Sequence, residues 1–479
     1  MFLISSRPFG SVPENWNREI LKNLVLLVFI FGCGRITGES VRLEAPPKIT
    51  KKLIILSIDG FPAYYLDSKD VRKEIPNLDY FFRRSVGGRV RTVDPSLTYP
   101  AHTSMITGKD PGKHGIEGNT PVDPFQREEG AWEWYYEDIR IPTLVDYAIE
   151  KNLRTGSVFW PVSVGSKAAY LIPQIWRSKT EEDYKLLRAL STPGLFDQMH
   201  EFVGLPVSEI TGDSPKIKTG AKIFNLYQTD LLLVYSTDLD TVHHGKGPFS
   251  PEAIRKLKEI DTLFGEFLNE IGFYQQTNLG LILVSDHGFL EASKVCRPNL
   301  YLQKHRWIKP NKKDWKYYFK SAGGIAHLVE NPKASQIEWK SKRPDFRLWK
   351  KDLERACPGT RFRFEGEDWK TRKEKSHPDS LAFLEGDSKT LISSGFSGRM
   401  YSKGNSIFTH GFSSGIAKMD TILFANFGPN TAEFMGGFRS GVYGVGQGNS
   451  RSGDLQSIKD VFALGCLWLG LECGTQIPK

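Results

Sequence analysis

Thr98 stands in DPSLTYPAHTSMITGKDPGKHGIEGN, Asp94 to Asn119, in a Pro-flanked turn ahead of an expected helix that begins near residues 101 to 103 and stops at Gly108. A helix N-terminus offers unpaired N–H groups and partial positive charge, so a hydroxyl there can meet a phosphate or be held as an alkoxide. Thr ahead of a helix serves most often as a cap, so its chemistry depends on what the rest of the chain brings to it. Asp240 and His244 are four apart in LDTVHHG, close enough to converge on one ion from a short loop or a first helical turn. Asp286 and His287 are adjacent in SDHG, and His410 lies in FTHGF. With Asp59 these make three carboxylates and three imidazoles, enough for two three-ligand sites with open positions. Mixed nitrogen and oxygen ligands with vacancies suit catalytic zinc better than magnesium, which takes mostly oxygen, or structural zinc, which favours closed sulfur sites.

Three continuous apolar runs lead into these acids. LIILSI (Leu53 to Ile58), LLLVY (Leu231 to Tyr235) and LGLILV (Leu279 to Val284) read as strands buried on both faces of a parallel sheet. They release Asp59, then Asp238 and Asp240, then Asp286. An Asp at one strand end is ordinarily a turn former, but three with His close behind point to a shared site. Helical patterns at Ile141 to Asn152 and Ala253 to Ile271 alternate with the strands, giving an α/β sandwich whose ligands sit beyond the carboxyl ends of the strands. A Lys- and Trp-rich segment, residues 301 to 406, interrupts the sandwich before His410. Its Phe346, Trp349 and Leu353 share one helical face, which amphipathic packing explains. Asp460 to Leu471 reads as a closing helix.

The chain has 479 residues and a formal charge of +9, a modest excess that suits anionic substrates or a membrane surface and lacks the dense basic stripe of a nucleic-acid binder. Arg18 and Lys22 precede an apolar run from Leu24 to Phe31, too short to span a membrane and right for a secretion signal. IFGC at Ile30 to Cys33 resembles a loose bacterial lipobox, which assigns residues 1–32 to a signal peptide and 33–50 to a lipidated tether carrying the protein on the periplasmic or cell surface. The long lead before the apolar run suggests a start codon downstream of Met1, and an uncleaved anchor or a plain signal peptide is the alternative. Four cysteines follow, Cys296, Cys357, Cys466 and Cys473; export favours disulfides, and the three possible pairings stay open.

From Lys51 to the C-terminus the chain resembles the nucleotide pyrophosphatase/phosphodiesterase family of the alkaline phosphatase superfamily. The motifs stand in the family's order: LSIDGF with Asp59, PSLTYPAH with Thr98 and HGIEGN with Asn119, YSTDLDTVHHGKGP with Asp240 and His244, SDHG with Asp286 and His287, and THGF with His410. The resemblance implies a largely parallel sheet flanked by helices, with catalytic core at 51–300 and 407–479 and an inserted lobe at 301–406 beside the site. It implies two zinc ions, one held by Asp240, His244 and His410 and the other by Asp59, Asp286 and His287 together with Thr98. His243, His102, His114 and Asp238 are then supporting residues.

The reaction so implied is hydrolysis of a phosphodiester or pyrophosphate bond through a phosphothreonine at Thr98, with Asn119 donating to a phosphoryl oxygen. A nucleotide or other phosphodiester is the expected substrate, with no nucleic acid and no obligate protein partner. Where many nucleotide-cleaving members carry a base-stacking tyrosine, this chain has Ile175 in PQIW, leaving Tyr99 and Trp176 as candidate aromatic walls. No Arg or Lys falls between Thr98 and Gly108, which favours diesters over monoester dianions. The alternatives are phosphomonoester, choline-phosphodiester or phosphonate hydrolysis on the same site, or a surface lipoprotein without catalysis.

Overall fold

A computed structural model describes residues 50–125, 131–175, 180–204, 212–334, 344–364, 380–439 and 455–474. The residues read as signal and tether, up to Ile49 and with Cys33 among them, and Trp176 lie outside the described residues. Residues Thr50–Lys479 form one compact unit. Among the described residues no helix is long and apolar enough to cross a membrane.

Strands β1 (Lys52–Ile58), β2 (Val86–Val90), β3 (Thr155–Val158), β4 (Tyr170–Ile172), β5 (Leu231–Ser236), β6 (Leu279–Val284) and β16 (Thr421–Asn426) build one sheet in the order β2-β16-β6-β1-β5-β3-β4. β6, β1, β5, β3 and β4 are parallel, and β16 runs antiparallel to both of its neighbours. Every residue of β1, β5 and β6 is buried, as the unbroken apolar runs require of strands covered on both faces. One apolar cluster lies on each face: Ile54, Leu232 and Leu281 point to one, Leu53, Leu231 and Ile282 to the other. Truncating one such side chain to Ala costs about 2–5 kcal/mol.

The flanking helices form where the sequence places them, with ends set by local chemistry. The expected helix from Ile141 begins at Leu144 instead, because Thr143 and Asp146 make a reciprocal capping box. Ser250 caps Pro251–Glu270, and Gly470 in the left-handed region ends Asp460–Leu469. The helix after the candidate nucleophile starts at Thr98, ahead of the expected 101–103. Pro100 marks its first turn, where a missing N–H costs nothing, so the proline lies inside the helix and not before it.

The interrupting segment adds two small sheets and a short two-stranded piece, β8 (Ile308–Lys309) with β9 (Asp314–Trp315). β7 (Leu290–Cys296) pairs with β14 (Thr390–Ile392) and β15 (Tyr401–Thr409). β10 (Tyr317–Ser321), β11 (Ile325–Glu330), β13 (Ser380–Gly386) and β12 (Thr360–Phe364) form an antiparallel sheet in that order. The helix Phe346–Ala356 lays Phe346, Trp349 and Leu353 into the segment's own apolar cluster. Disulfides join Cys296 to Cys357 and Cys466 to Cys473, resolving the open pairing.

Candidate active site

Strand register brings the acids together. Ile58 is level with Ser236 and Ser57 with Val284, so the chain leaves β1, β5 and β6 at one rim. The Gly60 N–H donates to Asp286 Oδ1 at 2.9 Å and the Phe61 N–H to Ser285 Oγ at 2.8 Å, locking the first and third exits together. Tyr235, at the end of β5, donates its phenol to Asp59 Oδ2. The helix Asp238–Lys246 then presents Asp240 and His244 one turn apart on the same face. β15 delivers the last imidazole: pairing of Thr409 with Leu290 sets His410 against His287, with rings stacked at 3.6 Å.

All three candidate histidines are oriented alike. Nδ1 of His410 faces Ser96 O at 3.0 Å, that of His244 faces Phe408 O at 3.1 Å, and that of His287 faces Gly288 O at 3.2 Å. A carbonyl can only accept, so each Nδ1 carries the proton and each Nε2 turns its lone pair to the rim, the arrangement that second-sphere bonds give metal-bound histidines. Nε2 of His244 and of His410 lie 3.5 and 3.6 Å from Asp240 Oδ1. His287 Nε2 lies 3.4 Å from Asp59 Oδ1 and 3.2 Å from Asp286 Oδ2. Ligands at about 2.0–2.1 Å around a tetrahedral ion sit roughly 3.3 Å apart.

The same three carboxylate oxygens, Asp59 Oδ1, Asp240 Oδ1 and Asp286 Oδ2, are buried with no hydrogen-bond partner among the described residues. Burial, then the charge of Asp286, pushes Asp59 and Asp240 well above the ordinary carboxylate range. Burial also drives His287 and His410 well below the ordinary imidazole value. Burial thus penalises the carboxylate charges of Asp59 and Asp240, which a cation beside them would offset, and keeps His287 and His410 neutral, the form that binds a metal. The donor set fits a metal centre. The tightest groupings of potential ligands are Asp59, Asp286 and His287, and Asp240, His287 and His410; His287 belongs to both, and His244 reaches the second through Asp240.

Thr98 is not a cap. Leu97 holds the N-cap position without a side-chain bond, while Thr98 Oγ1 sits 3.5 Å from His287 Nε2 at the first turn of a wholly buried helix. His102, one turn on, ties Thr98 O at 2.8 Å to Ser57 Oγ on β1 at 2.8 Å, which anchors the helix to the sheet. Asn119 Oδ1 accepts the Tyr99 N–H at 3.0 Å, so its amide nitrogen is turned away from that bond and is free to donate. His243 and His114 face away from the cluster, on Tyr65 Oη at 2.7 Å and Ser104 Oγ at 2.9 Å, and Asp238 pairs with Lys256 at 3.2 Å.

Tyr99 departs from the expected open wall. Its ring is 1% exposed, packed with Ile116, Tyr136, Ile139 and Val162 and covered by half-buried Trp132 at 5.4 Å. Apolar residues on both sides of Asn119 close over it, and Trp132 is a partly exposed ring that lies against it. Ile175 packs at the edge of a core cluster. Sequence reasoning missed Trp132, which carries no motif. It also missed Glu117, Lys320 and His327, whose proximity arises only when the inserted segment folds back on the nucleophile loop.

The profile of the family described as type I phosphodiesterase / nucleotide pyrophosphatase matches residues 53–392, most of the folded unit. The chain belongs to this family. The ectonucleotide pyrophosphatase/phosphodiesterase family member 1 of Rattus norvegicus is 27% identical over 279 residues, covering 55% of this chain and 26% of that protein. Member 7 of Homo sapiens is 26% identical over 318 residues, covering 63% and 62%. The bis(5'-adenosyl)-triphosphatase of Pongo abelii is 25% identical over 291 residues, covering 58% and 56%. The chain thus spans from about a quarter to less than two thirds of the length of these curated relatives. Among solved structures, murine ectonucleotide pyrophosphatase/phosphodiesterase 5 superposes with a TM-score of 0.55 at 18% identity, covering 90% of this chain and 98% of the other. An inactive variant of that protein in complex with AMP superposes at 0.54 with 17% identity, covering 90% and 97%. Both share the fold: helices on a mostly parallel sheet. Membership makes this chain kin to hydrolases of phosphodiester and pyrophosphate bonds, with a candidate metal cluster at the rim.

Proposed function

We propose that this protein is a two-zinc phosphodiesterase/nucleotide pyrophosphatase working through a phosphothreonine at Thr98. The observation that carries the reading is the convergence of three histidine Nε2 atoms, each with Nδ1 bound to a backbone carbonyl, on three buried carboxylate oxygens without hydrogen bonds, next to a helix-terminal hydroxyl. Asp240, His244 and His410 would hold one zinc, and Asp59, Asp286 and His287, with Thr98, the other. Such ions, when bound, neutralise phosphoryl charge and lower the pKa of hydroxyls beside them.

The Thr98 hydroxyl gives its proton to solvent water as its Oγ attacks phosphorus in line with the leaving oxygen; the P–O bond to the leaving group breaks, and that group departs with its electron pair. The first turn of the helix aims backbone N–H groups at the entering phosphoryl. Asn119 donates from its amide nitrogen to a non-bridging oxygen as charge grows there. Water then displaces Thr98 from phosphorus, restoring the hydroxyl and releasing the phosphate product. Trp132, over the covered Tyr99, supplies the apolar face for the substrate's organic part, and Trp176 remains a second candidate. A nucleotide is favoured by the AMP complex of the murine neighbour and by the triphosphatase named among the relatives.

The two disulfides fit an oxidising, extracytoplasmic location, and the lipid anchor at Cys33 completes that proposal. Mass spectrometry of the mature N-terminus checks the anchor; an unmodified Cys33 would end it. For the activity, the test joins metal analysis of the purified chain with turnover of the p-nitrophenyl ester of thymidine 5'-monophosphate and of p-nitrophenyl phosphate. About two zinc ions per chain and a higher kcat/KM on the diester are expected. Full activity after exhaustive chelation would sink the reading.

A further inference from the structure

No Arg or Lys falls between Thr98 and Gly108, yet the fold brings a lysine against the loop that leads to Asn119. Lys320 lies on β10 directly opposite His327 on β11, so the two share one face of the inserted sheet. That face lies on the loop leading to Asn119. His327 Nδ1 is 2.9 Å from Ser380 Oγ and 3.6 Å from Glu117 Oε2, and Ser380 Oγ donates to the same Glu117 oxygen at 3.2 Å. Lys320 extends to the next residue: a Cβ built on Gly118 would meet its Nζ at 2.9 Å and its Cε at 3.2 Å. The ammonium therefore occupies the space that any side chain at position 118 would take.

The bland account is that Lys320 only neutralises nearby acids. Glu133 and Glu117 do act on it through space, against burial that lowers its pKa. Among the described residues, however, no carboxylate comes within 4.0 Å of Lys320 Nζ and no hydrogen bond uses it, while Glu117 is engaged by Ser380 and His327. A half-buried ammonium so loosely compensated is a place for an anion. Its position says which one. Asn119 meets the Tyr99 N–H next to Thr98, and Gly118, against which the ammonium lies, is its chain neighbour, so an anion held by Lys320 would sit next to the phosphoryl group that Asn119 meets.

We propose that Lys320 binds the second phosphoryl group of a pyrophosphate-type substrate and so selects nucleoside polyphosphates over diesters whose other substituent is uncharged. This rests on the phosphodiesterase/pyrophosphatase reading of the Thr98 site and narrows its substrate class. It also supplies the positive charge that the stretch from Thr98 to Gly108 lacks. Lys320 acts on the non-reacting end of the substrate, so its loss falls on KM more than on kcat.

The test compares the full chain with Lys320→Met, Lys320→Arg and Gly118→Ala on ATP and on the p-nitrophenyl ester of thymidine 5'-monophosphate. Lys320→Met should lower the ATP-to-ester ratio of kcat/KM roughly 10- to 100-fold, as expected for one charge-assisted contact, chiefly through KM for ATP. Lys320→Arg should keep most of that ratio. Gly118→Ala leaves the lysine in place but pushes its ammonium aside, and should reproduce the selective loss, which guards against a Met variant that merely folds badly. Inorganic pyrophosphate should lose inhibitory strength against the Met variant by a similar factor while orthophosphate does not. Equal losses on both substrates would show a structural lysine and overturn the inference, as would a loss confined to the ester. If the wild-type chain cleaves the ester and the ratio does not move, only this inference falls; if it cleaves neither substrate, the reading of the Thr98 site falls with it.

Discussion

At the rim of the main sheet every ligand candidate leaves a strand end or the first turns of a helix, whereas the inserted segment approaches with side chains carried on its strands. Asp59, Asp286 and His287 follow β1 and β6, and Asp240 and His244 ride one helical face after β5. Glu117, by contrast, is held by His327 of β11 and Ser380 of β13, and Lys320 comes from β10. The contact between the two regions is close: Gly411, with φ of 80°, has no room for a Cβ, which would stand 1.6 Å from Ala322 O in the turn between β10 and β11. On the function proposed above, the difference teaches a division of labour in which the rim would perform the chemistry and the inserted segment would shape what reaches it.

The sharpest break in that comparison comes from Thr98. Thr98→Ala should cost on the order of 10³-fold or more in kcat, in the range seen when a nucleophile is removed, and Thr98→Ser should retain part of the rate. Phosphate trapped on Thr98 in an acid quench would locate the covalent step; an Ala variant with unchanged turnover would refute it.

Metal removal comes next, and it carries a pH signature. With no cation present, Asp59 and Asp240 keep their protons well above the ordinary carboxylate range, so the folded chain binds more protons than the unfolded one and loses stability as pH rises. His287 and His410, pushed far down, act oppositely: below an ordinary value of about 6.5 the unfolded chain takes protons that the folded chain refuses, and stability falls as pH drops. Bound cations relieve the carboxylate penalty, and their affinity rises with pH as the ligands deprotonate. Chelation should therefore lower Tm more at about pH 8 than at about pH 6. A drop independent of pH would contradict the cluster's electrostatics.

Asn119→Ala should cost roughly 10²–10³-fold in kcat, the usual worth of one donor to developing charge, with little change in Tm. An effect on KM alone would move Asn119 from the reacting phosphoryl to substrate binding. The smallest catalytic effect belongs to the inserted segment. Cys357→Ser opens the link to Cys296, which closes a separation of 61 residues, and should cost about 2–4 kcal/mol of stability. Its kcat, measured below the unfolding range, should change only a few fold. A collapse of kcat in that variant would erase the division between the two regions.

The amino-acid sequence by itself determined the sheet's central strands and the candidate ligand residues at their ends. A strand buried on both faces must be apolar throughout, so β1, β5 and β6 announce themselves, and polar residues directly after such runs have nowhere to go but the rim. It did not determine the start of the Thr98 helix, because a proline in a first turn looks like a breaker until the backbone shows that it is inside. Nor could it foresee that Tyr99 would be covered by Trp132 or which cysteines would pair, since both depend on approach between loops. Only the tertiary structure decided that Lys320, Glu117 and His327 belong to the mouth of the site. Local sequence encodes periodicity and chain ends; contacts between segments two hundred residues apart are fixed by the packing of one finished element on another, and no local pattern records them.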